Sequence, residues 1–128
     1  MSEAQPKQPA LAPPPLSSLP RLLRGDDTLV GLAGRSSAVV AISDAARAFV
    51  VAGLTQLSAR HPVVIVTPTA SDAERLAHDL TAFLGEDAVD TFPAWETLPF
   101  ERVSPSAETM GRRLRAMWRL KEDRKSVV

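Results

Sequence analysis

Phosphate chemistry has one candidate home in this sequence. Val40-Ala41-Ile42 reads as the end of a strand, and Ser43-Asp44-Ala45-Ala46-Arg47 opens a helix. A strand feeding a helix N-terminus is where backbone N–H groups can cradle a phosphate. Such a loop needs glycines to wrap the anion. It also needs a lysine for the β- and γ-phosphates and a Ser or Thr hydroxyl for Mg²⁺. No glycine occurs between Arg35 and Ala52, and Asp44 sets a negative charge where the phosphate would sit. The earlier Gly31-Leu32-Ala33-Gly34-Arg35-Ser36-Ser37 precedes the strand and has no lysine, so it reads as a loop. The junction lacks what a working P-loop requires, and no cofactor is expected in it.

Other chemistries find less support. His61 precedes Pro62 at a loop, and His78 sits on the polar side of a helix. Glu74 and His78 share helical spacing, but two weak ligands do not make a metal site. No catalytic residue and no metal ligand is therefore assigned. Cysteine is absent. That removes disulfides, thiolate metal sites and cysteine nucleophiles, and it fits a reducing cytoplasm. The basic residues are more suggestive. Arg112, Arg115 and Arg119 fall on one helical face and are candidate contacts for DNA or a partner. From Pro68 to Glu101 there are eight carboxylates against one arginine, whereas Gly111 to Lys125 holds seven Lys/Arg against two acids. Either these are two solvated faces of opposite sign, or the basic helix faces DNA or an acidic partner.

Six of the 11 prolines lie in the first 20 residues, so residues 1–18 read as a disordered, proline-rich arm. Residues 19–122 then form a single lobe. Apolar content of 45% and zero formal net charge suit a soluble globular domain. No apolar run approaches the ~20 residues of a membrane span, and the N-terminus lacks the order of a signal peptide. A cytoplasmic location and no membrane partner are expected.

The elements follow from periodicity. Residues 19–33 predict one or two short helical turns, capped by Asp26 or Asp27. Residues 37–42 (SAVVAI) and 63–66 (VVIV) read as buried strands, and 88–92 as a third strand nearer an edge. Residues 45–59 predict a helix with Ala46, Phe49, Val50, Gly53, Leu54 and Leu57 on one stripe. Residues 71–84 predict another, with Ser71 and Glu74 as a capping box and Gly85 as the positive-φ stop. A last helix runs to about Leu120, capped by Ser104 with Pro105 in its first turn. Its inner face is read as Met110, Leu114, Met117 and Trp118, its outer face as the three arginines. Strand–helix alternation predicts an α/β fold built on a mostly parallel sheet.

The loop before that helix carries the most specific signal. Phe92-Pro93-Ala94-Trp95-Glu96-Thr97-Leu98-Pro99-Phe100 is followed by Ser104-Pro105 and then by Arg112-Arg113-Leu114. A loop so rich in apolar side chains must dock on something. Trp95 either packs beneath its own loop or stacks on a nucleobase. The whole string resembles the first lobe of bacterial transcription-repair coupling factors, itself similar to the excision-repair protein UvrB. The motif residues are Phe92, Pro93, Trp95, Glu96, Thr97, Leu98, Pro99, Ser104, Pro105, Arg113 and Leu114.

The resemblance implies a three-layer, P-loop-NTPase-like lobe, akin to domain 1a of UvrB, that has lost its ATP chemistry. In its register Ala46 stands at the lysine position and Arg47 at the Ser/Thr position. The link from Thr91 to Ser104 leaves no room for the aromatic hairpin of damage verification. In that family the full-length protein is an ATP-dependent DNA translocase that frees stalled RNA polymerase and recruits nucleotide excision repair. Its motor, polymerase-binding module and UvrA-contacting domain would lie beyond residue 128. The lobe would then be a truncated, non-enzymatic scaffold whose partners are neighbouring domains, with residues 123–128 a non-native tail. The alternative is a stand-alone degenerate nucleotide- or nucleic-acid-binding module.

Overall fold

A computed structural model describes residues 16–59, 61–95, 100 and 104–123. The expectations for most of the proline-rich arm, for Glu96, Thr97, Leu98 and Pro99, and for nearly all of the tail lie outside the described residues.

The described chain is helical. A 3₁₀ helix, Leu19–Gly25, leads into α1 (Asp27–Ala33), α2 (Asp44–Leu57), α3 (Ala70–Leu84), a 3₁₀ turn at Glu86–Ala88 and α4 (Ala107–Asp123). The expected mostly parallel sheet is not formed: no strand occurs among the described residues. The runs 37–42 and 63–66 are irregular, the third expected strand gives its first residue, Ala88, to the 3₁₀ turn and is irregular over 89–92, and Val39, Val64 and Val66 stand in solvent. The physical reason is that β-branched composition describes a side chain suited to a sheet, whereas a strand exists only where a neighbour supplies its ladder. Here α2 and α3 spend their apolar faces on each other, so no sheet lies beneath them. The junction read as a degenerate P-loop loses its expected strand in the same way.

The core sits between α2 and α3. Ala48 and Ala52 meet Leu76 and Leu80, with Val51, Phe83, Leu84 and Val89 around them. Phe49 and Phe83 pack with ring centroids 5.9 Å apart at 45°, a tilted pair within the favourable range. The buried stripe of α2 is Ala48, Ala52 and Gly53, rotated from the one expected, because small residues let α3 approach closely. Gly53 serves the other neighbour: a Cβ there would fall 2.3 Å from Leu23 Cδ1 in the first 3₁₀ helix. Pro20, in the same 3₁₀ helix, is fully buried. The backbone N–H of Leu16 donates to the Ala82 carbonyl at 3.1 Å, fastening the N-terminal segment beside the end of α3.

The helix ends obey local chemistry. Asp26 caps α1, accepting from the Leu29 N–H at 2.9 Å. The capping box of α3 lies two residues before the expected one. Thr69 Oγ1 accepts from the Asp72 N–H at 3.1 Å and donates to Asp72 Oδ2 at 2.7 Å. Threonine hydroxyl and aspartate carboxylate satisfy each other there, so Ser71 and Glu74 are left within the helix. Gly85 ends α3 at φ 90°, a left-handed value open chiefly to glycine.

Candidate functional site: an arginine joint on the last helix

Helix α4 begins where the Ser106 hydroxyl accepts from the Thr109 N–H at 3.1 Å. The cap is therefore Ser106 rather than Ser104, and Ser104 and Pro105 lead in from outside. Glu108 in the first turn and Lys121 in the last suit the helix dipole. Glu108 also reaches Arg112 at 2.9 Å across one turn.

Arg113 joins α4 to the motif loop. Its guanidinium lies 3.9 Å from the centre of the Phe92 ring and 4.2 Å from that of Trp95. Its Nη1 donates to the Pro93 carbonyl. A planar cation can stack on aromatic faces and still donate in its own plane, which a lysine cannot do. Three motif residues, Phe92, Pro93 and Trp95, are thus gathered on a fourth. Trp95 packs on this arginine, as the docking argument for the loop requires.

The other arginines reach the acidic segment after α3. Arg119 bonds Asp90 at 2.7 Å and lies 3.8 Å from Asp87. Arg115 approaches Asp90 at 3.5 Å, and Arg112 approaches Glu74 at 3.6 Å. Exposed ion pairs contribute only about 0–1 kcal/mol each. The Arg119–Asp90 pair is the stronger candidate, since its side chains are only 27% and 24% exposed. An open cleft lies between α3 and α4, lined by His78, Thr81, Glu86, Asp90, Arg112 and Arg115.

This reverses the expected orientation of α4. Thr109 and Ala116 are buried, whereas Trp118 is 59% and Leu114 63% exposed, with Met110 and Met117 also open to solvent. Periodicity defines two stripes, but it does not say which one faces inward. Carboxylates on α3 and on the segment after it draw the arginine stripe towards the molecule and leave the apolar one outside. Arg112, Arg115 and Arg119 are therefore engaged within the chain. In sequence Glu74 reads as half of a capping box and as a weak ligand beside His78, and neither it nor Asp87 or Asp90 reads as a partner of these arginines. The signal that could have found them is the acidic run at 68–101 facing the basic run at 111–125.

At the position read from sequence as a degenerate P-loop, Ser43 precedes α2 without capping it, and Asp44 pairs with Arg47 one turn on. Ala45 and Ala46 add no polar group to that pair. Elsewhere, Asp72 is held below its ordinary carboxylate range, first by the Thr69 hydroxyl and then by the Arg75 guanidinium. Among the described residues, no group of three or more His, Asp or Glu side chains is arranged to hold a metal ion. None of the described helices is long and apolar enough to cross a membrane.

Comparison with curated proteins finds relatives that share one name. The chain is homologous to a segment of the transcription-repair-coupling factors, the group that the loop motif resembles. The proteins of that name from Mycobacterium bovis and Mycobacterium tuberculosis are each 37% identical over 116 residues, covering 88% of this chain and 9% of the relative. The Haemophilus influenzae protein is 39% identical over 64 residues, covering 50% of this chain and 6% of its own length. The chain thus spans about a tenth or less of the curated relatives it matches. No protein-family profile matches the chain, and neither does any solved structure.

Proposed function

We propose that the chain serves as a non-catalytic scaffold lobe of a transcription-repair coupling factor. In this reading it supports recruitment of nucleotide excision repair proteins to stalled RNA polymerase in the cytoplasm. Contacts with UvrA and RNA polymerase belong to domains outside these residues, as does the ATP-driven translocase motor. The observation that carries the reading is the 37% identity to two coupling factors over 88% of the chain.

Local chemistry is consistent with a lobe that binds no nucleotide. A phosphate at the start of α2 would meet the Asp44 carboxylate and would have to compete with it for Arg47. The stand-alone nucleic-acid-binding reading draws less support. Arg112, Arg115 and Arg119, its candidate DNA contacts, already have carboxylate partners. Equilibrium dialysis against ATP tests the proposal directly. No binding at micromolar ATP is the expected result, and micromolar affinity would overturn it. Reading the genomic frame onward past Leu120 tests the identity, because a translocase motor should follow.

A further inference from the structure

Helix α4 uses one side only. Arg113 and Arg119 reach the motif loop and the acidic segment, and Thr109 and Ala116 on the same side are buried. On the opposite side Met110, Leu114, Met117 and Trp118 are all exposed. At 100° per residue these four form one continuous stripe, with Lys121 inside it. Lys121 makes no ion pair among the described residues. Gly111 lies beside Trp118 on the same side, and a Cβ there would meet nothing within 4 Å. A glycine inside a helix weakens it. What this one offers is a notch through which another backbone can approach closely.

We propose that this face is an intramolecular docking surface for another part of a longer polypeptide. The contacting side of that part is apolar and carries a carboxylate opposite Lys121. The proposal rests on the coupling-factor reading. Two arguments choose this occupant. First, the match covers 9% of each mycobacterial relative, so most of those polypeptides lies outside it. Second, a second copy fits poorly. A helix of 17 residues is about 25 Å long and about 10 Å wide, so one face offers on the order of 300 Å². A stable interface between separate molecules buries about 800 Å² per partner. A tethered partner needs less, because the tether supplies a high effective concentration. A contiguous stripe of large apolar side chains also marks an interaction site more than it marks ordinary surface.

Hydroxyl-radical footprinting tests this, since methionine and tryptophan oxidise readily when exposed. The 128-residue chain would be compared with the longer polypeptide encoded by the continuous genomic frame. Met110, Met117 and Trp118 are expected to oxidise at least about five-fold more slowly in the longer polypeptide. Leu114→Glu is expected to leave the melting midpoint of the 128-residue chain unchanged and to lower that of the longer polypeptide. Equal oxidation rates in the two proteins would overturn this inference alone. So would protection in the 128-residue chain that grows with its concentration, which assigns the face to a second copy. A frame that encodes no longer polypeptide would overturn the coupling-factor reading and this inference together.

Discussion

The α2–α3 pair and the α4 joint are held by different physics. Between α2 and α3, alanines on one helix admit leucines from the other, and the contact is apolar and close. Helix α4 is held at the reach of arginine side chains, through ion pairs and one stacked guanidinium. Apolar contact loses free energy steeply when a methyl group is removed, because a cavity remains. Long charged side chains can rearrange, and water and salt compete for them. The first region should therefore set global stability, and the second should set only where α4 and its loop lie.

The sharpest break in that contrast is Leu80→Ala. Leu80 is buried in the α2–α3 core, and the truncation should cost about 2–5 kcal/mol, read from the urea midpoint. Next comes Arg113→Ala. Losing the two ring contacts and the carbonyl bond should cost about 1–2 kcal/mol. Its distinguishing sign is a red shift in the emission of Trp95, measured in a Trp118→Phe background so that one tryptophan reports. An unchanged spectrum would mean that the loop does not depend on the arginine.

Smaller still is Arg119→Ala, at about 0.5–1 kcal/mol. Because the Debye length shrinks from about 10 Å to about 3 Å between 0.1 and 1 M salt, that difference should fade in high salt. The Leu80→Ala deficit should persist under the same conditions. Trp118→Ala should stay within about 0.5 kcal/mol in this chain, as a surface change does. A loss of several kcal/mol would turn α4 around and restore the orientation read from sequence.

The smallest effect concerns pH. The Asp72 carboxyl has its folded pKa lowered from the ordinary 3.8. Its contribution to α3 is therefore present above pH 3.8 and is lost as pH falls through the lower folded value. Helical circular dichroism followed downward from pH 5 should show this loss in the parent chain. Asp72→Asn should flatten it.

Local chemistry was legible in the sequence wherever it decides structure by itself. The Asp26 cap, the Gly85 stop and the extent of α3 to within a residue all depend on neighbours a few positions apart. Phe92, Pro93, Trp95 and Arg113 belong to the string read as a family motif, and their meeting in the structure is a finding that the string did not itself state. Two things were not legible. Residues 37–42 and 63–66 have the composition of strands, but composition cannot state whether a ladder partner comes alongside. The face of α4 that turns inward is set by Asp87 and Asp90, about thirty residues upstream, and no local window contains that information. The roles of Arg112, Arg115 and Arg119 were read as facing outward for the same reason.

The irregular run Val63-Val64-Ile65-Val66 has a colloidal consequence. Four successive β-branched aliphatic side chains stand open to water, without a charge among them to repel a neighbouring molecule. Short segments of that kind, once exposed, template assembly between chains. Pro62 and Pro68 bracket the run. A proline cannot donate to a growing ladder, so each acts as a stop on its flank. How concentrated this protein can become before it precipitates should therefore depend on two residues that touch neither its core nor its arginine joint.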